Sequence, residues 1–72
     1  MNRETFLESM IEVLQTEDEI TFDTKLEDLE EWDSLSAMAT ITFLDKAFGI
    51  KATISDIQTF VTIEDIAKKA GL

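Results

Sequence analysis

Asp33 and Ser34 are the residues whose types and spacing point most directly to chemistry, within the segment Glu31-Trp32-Asp33-Ser34-Leu35-Ser36. Asp is a preferred N-cap residue, so Ser34 is predicted to be the first residue of a helix. A hydroxyl at that position lies beside unpaired backbone amides and the positive end of the helix dipole, and both stabilise a phosphate group. The pattern fits a phosphoester on Ser34, and it also fits an Asp-Ser pair that does no more than begin a helix.

Composition excludes most other side-chain chemistry. The 72 residues include no Cys and no His, which removes a thiolate nucleophile, Cys-ligated zinc and the usual general base. Two glycines cannot form a phosphate-binding loop, and the run Glu17-Asp18-Glu19 lacks the ligand spacing of a calcium-binding loop. Ser34 has no His to activate it as a nucleophile, and no motif supports a lysine base. We expect no metal site, no catalytic residue and no enzymatic activity.

The chain is strongly acidic, and its charge is unevenly distributed. It has 16 Asp and Glu against 6 Lys and Arg, a net charge of −10, and residues 1–36 hold 12 of the acids but 2 of the bases. Such a balance disfavours binding to nucleic acid. Met1-Asn2-Arg3-Glu4 lacks the apolar core of a signal peptide, and no apolar run approaches the roughly 20 residues of a membrane span. We expect a soluble, cytoplasmic protein that is not inserted into a membrane.

The chain is long enough for one domain with one small core. A first helix is predicted over residues 3–15, with Asn2 as its N-cap. Apolar residues recur along it with helical periodicity: Phe6, Leu7, Met10, Ile11 and Leu14.

A long connection is predicted over residues 16–33. Its apolar residues recur too often for a free linker and are expected to anchor it on the core: Ile20, Phe22, Leu26, Leu29 and Trp32. The capping-box pattern Thr24-Lys25-Leu26-Glu27 predicts one short helical turn within it. A long anchored loop in a small domain is usually functional.

A second helix is predicted over residues 34–48, from the Asp33 cap to a stop at Gly49. Its core-facing stripe is predicted to comprise Ala37, Ile41, Leu44 and Phe48. A different face is predicted to carry Met38, Thr42 and Asp45.

The last third of the chain predicts two more helical segments. Residues 55–59 form one or two turns, with Ile54, Ile57 and Phe60 facing inward. Thr62 and Asp65 resemble a capping box that begins the last helix. Its core side chains are Ile63, Ile66, Ala67 and Ala70, its final turn carries Lys68 and Lys69, and Gly71 ends it. No segment shows strand alternation, so the predicted fold class is all-α: a small bundle of three main helices plus one short helix.

The sequence resembles the acyl carrier protein family. The resemblance rests on Asp33-Ser34-Leu35 at the start of the second helix, after an amphipathic helix and an anchored loop. The acidic balance, Phe48-Gly49-Ile50 and Thr62-Ile63 support it. It covers essentially all of residues 1–72 and implies a single acyl carrier domain of the free-standing type, with the fold of that family.

The resemblance implies that Ser34 is the covalent attachment point of 4′-phosphopantetheine, which a separate phosphopantetheinyl transferase moves from coenzyme A. Asp33 then caps the helix and helps the transferase recognise the site, and Leu35 packs beside it. The thiol of the arm carries acyl groups as thioesters, in accord with a chain that has no Cys of its own. The implied protein is a monomer in fatty acid, specialised lipid or polyketide biosynthesis. Its other partners are acyl-processing enzymes such as a ketosynthase, ligase or acyltransferase.

Two departures from the family's pattern bear on partners and pathway. The docking face of the second helix carries Met38 and few charges, whereas acids fill the preceding loop at Glu27, Asp28, Glu30, Glu31 and Asp33. We expect the loop acids to steer a basic partner and Met38 to make apolar contact, unless Met38 packs into the bundle. Trp32 stands where carriers of fatty acid synthesis commonly have a small or aliphatic residue, which favours a specialised pathway. We expect Trp32 to cover the core beside Ser34; contact with the pantetheine arm or the transferase is the alternative.

Two questions stay open at the level of sequence. Phe43 either fills the core or lines a cavity for an acyl chain. The main rival to a carrier is an acidic helical protein-interaction module, such as an adaptor or a nucleic-acid-mimicking inhibitor, in which Ser34 is unmodified.

Overall fold

The computed structural model describes residues 1–72 and contains four α-helices and one short 3₁₀ turn. The helices are α1 (Arg3–Leu14), α2 (Ser34–Phe48), α3 (Ile54–Thr59) and α4 (Ile63–Lys69), and the 3₁₀ turn is Leu26–Asp28. There is no strand; an isolated antiparallel bridge joins Lys25 to Thr62. The predicted all-α bundle of three main helices and one short helix is confirmed. No helix has the length and apolar character that crossing a membrane requires.

Every α-helix begins with a reciprocal capping box, in which the N-cap side chain and the third helical residue bond each other's backbone amides. The four pairs are Asn2 with Thr5, Asp33 with Ser36, Thr53 with Asp56, and Thr62 with Asp65. The predicted caps at Asn2, Asp33 and Thr62 are confirmed. At its other end, α2 stops at Gly49 as predicted, in the left-handed conformation with φ +69°.

The long loop is pinned to the start of α4. The amide of Leu26 donates to the carbonyl of Val61 at 2.9 Å, and the amide of Ile63 donates to the carbonyl of Thr24 at 3.1 Å. The helical turn predicted here exists, but the predicted cap is wrong: Lys25 is the N-cap and makes no side-chain bond. The Thr24 hydroxyl instead accepts the Thr21 amide at 2.8 Å, so it closes a turn before the 3₁₀ segment.

One core holds the molecule together. It combines side chains from α1, the loop, α2 and α4: Phe6, Met10, Leu14, Ile20, Leu26, Leu29, Leu44, Ile63, Ile66, Ala67 and Ala70. The predicted loop anchors are confirmed, since Ile20, Leu26 and Leu29 are buried and Phe22 and Trp32 pack against the core. Such burial is the main favourable term in folding.

An aromatic cluster centred on Phe6 fills the end of the bundle where α1 begins and α2 ends. The Phe6 ring lies 6.4 Å from Phe22, 5.9 Å from Phe43 and 6.2 Å from Phe48, measured between ring centroids. Phe43 and Phe48 meet edge to face at 5.8 Å. Phe43 is half-buried and packs against the core, which favours the first of the two alternatives for it.

Two predicted orientations are wrong. The buried residues of α2 are Ser36, Thr40 and Leu44, whereas Ala37 and Ile41 are half-buried. The small hydroxyl side chains occupy the inner face because their oxygens bond locally, as when Thr40 Oγ1 donates to the Ser36 carbonyl at 2.9 Å. In α3, Ile57 is buried as predicted, but Ile54 is exposed because it begins this short helix at the rim of a groove.

Candidate functional site

Ser34 is exposed and is the first residue of the 15-residue helix α2. Of the amides that begin the helix, that of Ala37 donates to the Asp33 carbonyl and that of Ser36 donates to the Asp33 carboxylate. The Ser34 amide has no such intrahelical partner, because the first turn of any helix leaves its amides unpaired. The Ser34 hydroxyl therefore lies at the positive end of the α2 dipole, where a phosphate is stabilised.

Asp33 is the N-cap of α2, and its carboxylate stays ionised. Its carboxylate accepts the Ser36 amide at 3.0 Å, and its own amide donates to the Ser36 hydroxyl at 2.8 Å. The Ser36 amide, aided by the Ser36 hydroxyl, lowers the pKa of Asp33 below its ordinary value of 3.8, although some desolvation opposes this. Asp33 is therefore ionised at neutral pH and directed back toward its helix.

Three exposed apolar side chains surround Ser34. Leu35 is 79% exposed, Met38 is 60% exposed and Ile54 is 51% exposed. The expectation that Leu35 packs beside the site is wrong, because at the second position of α2 its side chain faces solvent. Packing of Met38 into the bundle is also excluded, which leaves this side chain free to contact a partner.

Two surface cavities flank the Asp33-Ser34 pair. One of about 400 Å³ lies between the end of α1 and the start of α2, and its walls include Val13, Gln15, Glu31 and Leu35. The other, of about 360 Å³, lies between α2 and α3 beside Ser34. Its walls are mostly apolar and include Trp32, Ala37, Met38, Ile54, Ile57 and Phe60. Trp32 thus covers the core beside Ser34 as predicted, and it also forms part of this groove.

The loop acids are left without cations from the same chain. The three ion pairs join Arg3 to Glu64, Lys51 to Asp45, and Lys69 to Asp56. None includes an acid of the loop that precedes α2. Glu31 is half-buried, and its Oε1 atom is shielded from solvent without a hydrogen-bond partner. The surface before Ser34 is therefore negative and available to a basic partner.

No cluster of three or more carboxylates is arranged to hold a metal ion.

The residues at the start of α2 fit a covalent phosphoester. The hydroxyl of Ser34 is exposed, the helix behind it is long enough for a full dipole, and a groove with apolar walls opens beside it. The feature that the sequence did not reveal is Ser36, which is buried beneath the site and bonds residues on the loop side of it. A signal for the role of Ser36 was present, because Asp33 and Ser36 have the spacing of a capping box. Ser is a less common partner at that position than Glu or Gln, so the signal was weak.

The comparisons with known proteins agree with this geometry. The family model described as phosphopantetheine attachment site matches residues 4–69. Neither the curated proteins nor the solved structures gave a significant match. Members of this family carry covalently attached 4′-phosphopantetheine, interact with a phosphopantetheinyl transferase and acyl-processing enzymes, and are generally not catalytic themselves. Because the match spans nearly the whole chain, this protein belongs to the phosphopantetheine-binding family of carrier domains.

Proposed function

We propose that residues 1–72 form a single acyl carrier domain in which Ser34 carries 4′-phosphopantetheine. The observation that carries the proposal is the exposed Ser34 hydroxyl at the first position of α2, inside the matched region. The other serines are placed differently. Ser9 is half-buried in the middle of α1, Ser36 is buried, and Ser55 lies on a six-residue helix.

The modification is a phosphoryl-type transfer to Ser34. The Ser34 Oγ forms a bond to the phosphorus of the pantetheine phosphate of coenzyme A, the P–O bond to 3′,5′-ADP breaks, and the hydroxyl proton leaves. A base of the transferase takes this proton, because the Asp33 carboxylate has a lowered pKa and is bonded to Ser36. The α2 dipole stabilises the phosphoester that remains on Ser34. The bound arm supplies a thiol that holds acyl groups as thioesters.

The surface around Ser34 provides two kinds of recognition. The loop acids Glu27, Asp28 and Glu30 are exposed and attract a basic partner, which raises the rate of encounter. Leu35 and Met38 are exposed apolar contacts beside the serine. Asp33 contributes the cap and a fixed charge next to the reacting hydroxyl. The partners that use this surface are the phosphopantetheinyl transferase and acyl-processing enzymes such as a ketosynthase, ligase or acyltransferase.

The protein acts as a carrier and not as an enzyme, as a cytoplasmic monomer. Fatty acid synthesis and a specialised lipid or polyketide pathway both fit a carrier. Trp32 on the wall of the groove beside Ser34 and the few charges on α2 support the specialised pathway. Loading of the holo form by a panel of ketosynthases and ligases distinguishes the two.

Intact mass spectrometry tests the attachment site. The purified apo chain is incubated with coenzyme A and a broad-specificity phosphopantetheinyl transferase, and one pantetheine adduct is expected. Ser34→Ala should show none. Ser55→Ala is the matched control, because Ser55 is also an exposed serine in the first turn of a capped helix, and this variant should still be modified. An adduct that persists in Ser34→Ala would place the arm elsewhere. An unmodified wild-type chain would favour the interaction-module alternative.

A further inference from the structure

The Ser36 side chain is the buried polar group beside Ser34 that the proposed function leaves without a role. It is 7% exposed. Its Oγ donates to the carbonyl oxygen of Glu31 at 2.7 Å and accepts the amide of Asp33 at 2.8 Å. Its own amide donates to the Asp33 carboxylate at 3.0 Å. The loop is thus bonded to the first turn of α2 on both sides of Trp32.

Ser36 cannot itself be an attachment point. Consecutive helical residues are rotated by about 100°, so Ser36 faces the opposite side of α2 from Ser34. Ser34 is exposed and Ser36 is buried. The Ser36 hydroxyl instead determines where the loop lies relative to the Ser34 hydroxyl.

This relationship matters for a transferase that contacts the loop and reacts at the helix. A displacement of about 1 Å at a reacting centre can lower a rate about a hundredfold. The loop contributes the acids that meet the partner, whereas α2 contributes the nucleophilic oxygen. The two are joined through the Asp33 backbone and through the Ser36 hydroxyl.

We propose that Ser36 is a positioning residue for the modification of Ser34. Its hydroxyl holds residues 31–33 on the first turn of α2, so that a transferase bound to the loop meets the Ser34 oxygen in one fixed place. The inference rests on the proposed function, because it concerns the transfer of phosphopantetheine to Ser34.

Steady-state kinetics of that transfer test the proposal on the full chain. In Ser36→Ala we expect kcat to fall about tenfold and KM for the carrier to change by less than about twofold, because the reacting oxygen is misplaced while the docking surface is kept. Ser36→Thr keeps a hydroxyl and should restore kcat. The matched control is Thr5→Ala, which removes the hydroxyl at the same third helical position of α1, where it accepts the Asn2 amide at 3.1 Å, at the end of α1 away from the site. It should lower thermal stability and leave kcat unchanged.

Ser36→Asp distinguishes the bond from the Asp33 amide, which it keeps, from the bond to the Glu31 carbonyl, which it loses. It also provides a second test if Ser36→Ala fails to fold. Asp occupies the same third helical position in α3 and α4, where it accepts the N-cap amide. It has no proton to give to the Glu31 carbonyl at neutral pH, so kcat should fall although the capping box is retained. Wild-type kcat in both Ser36→Ala and Ser36→Asp, or an equal loss of kcat in Thr5→Ala, would overturn the inference and leave the proposed function intact. A wild-type chain that no transferase modifies would overturn the proposed function and this inference with it.

Discussion

The guanidinium of Arg3 donates a hydrogen bond to the carboxylate of Glu64. This bond joins the first turn of α1 to the first turn of α4, which lie 61 residues apart in the sequence. The same guanidinium lies 4.0 Å from the centroid of the Phe22 ring. One side chain therefore ties together α1, the long loop and α4, on the opposite end of α1 from the Ser34 site. A cation at a helix N-terminus is electrostatically unfavourable, so the dipole of α1 opposes these two contacts.

Arg3→Met should lower the free energy of unfolding by about 0.5–1 kcal/mol, since a partly exposed ion pair and a cation–π contact are lost while the aliphatic stem is kept. Urea denaturation measures the change. Arg3→Lys retains the charge but not the planar group, and it should recover part of the loss. Equal stability of Arg3→Met and the wild-type chain would show that the unfavourable dipole term cancels both contacts.

The end of α1 is a site where the chain can be stabilised. Gln15 follows α1 in the left-handed conformation with φ +55°, the one non-glycine residue with positive φ. Gly has no steric penalty there, so Gln15→Gly should raise the free energy of unfolding by about 0.5–1 kcal/mol.

The converse change at the end of α2 is the control. Gly49 has φ +69°, and an added Cβ would meet no atom within 4 Å. Gly49→Ala should therefore lose about 1 kcal/mol through the backbone alone. Thermal melts of both variants check the pair, and a destabilised Gln15→Gly would mean that the Gln15 side chain contributes more than its backbone costs.

The bounds of these helices were predictable because single capping residues determine where a helix begins or ends. Asn2, Asp33 and Thr62 begin helices where expected, and Gly49 ends α2. The face of α2 was not predictable in the same way. Ser36 and Thr40 are polar by type, but short hydroxyls can be buried without an unpaired group when they bond nearby carbonyls, as Ser36 bonds Glu31 of the loop and Thr40 bonds Ser36 of its own helix. The apolar pattern of α2 therefore predicted a core face that includes Ala37 and Ile41, whereas the buried face includes Ser36 and Thr40.

The position of the site in the sequence was predictable because the N-cap of α2 determines it. Asp33 and Ser34 follow from helix-cap preference, and the negative loop follows from composition. Which side chains near Ser34 are exposed depends on where α3 lies against α2, and this is a long-range contact. Ile54 was therefore expected inside, although it forms part of the exposed rim.

The buried hydroxyl of Thr40 should be nearly dispensable. Its Oγ1 bonds the Ser36 carbonyl, which α-helical geometry already supplies with a backbone donor. Thr40→Val keeps the volume and replaces the hydroxyl by a methyl group, so we expect a change within about 1 kcal/mol. Thr40→Ala removes a fully buried methyl as well and should cost about 1–2 kcal/mol through the cavity. Chemical denaturation compares the two, and an equal loss in both would assign the energy to the hydrogen bond.

The capping carboxylates predict a loss of stability in acid. Bonds from the Val61 and Thr62 amides lower the pKa of Asp65 below its ordinary value of 3.8, and the Thr53 amide does the same for Asp56. Because the folded-state pKa lies below the unfolded value, this stabilisation is present above about pH 4 and is lost as the pH falls through the folded-state pKa.

Asp65→Asn isolates this effect from the general change in charge. The wild-type chain should be the more stable of the two at pH 5–7, and the difference in thermal midpoint should disappear as the pH falls through the folded-state pKa of Asp65, because its carboxyl is then protonated. Glu12→Gln, on the exposed face of α1 and outside any capping box, is the control and should show no such convergence. A difference that stays constant with pH would show that Asp65 acts through its shape and not its charge.

Salt should stabilise the fold, because residues 1–36 carry the whole net charge of −10. The acids at Glu27 and Glu30 are exposed and have no cation partner within the chain. Repulsion among them is screened as the Debye length falls from about 10 Å at 0.1 M to about 3 Å at 1 M. The thermal midpoint should therefore rise with NaCl. Glu27→Gln/Glu30→Gln should start from a higher midpoint at low salt and gain less from added salt. A midpoint that does not move in the wild-type chain would mean that the loop carboxylates are too far apart to repel one another measurably.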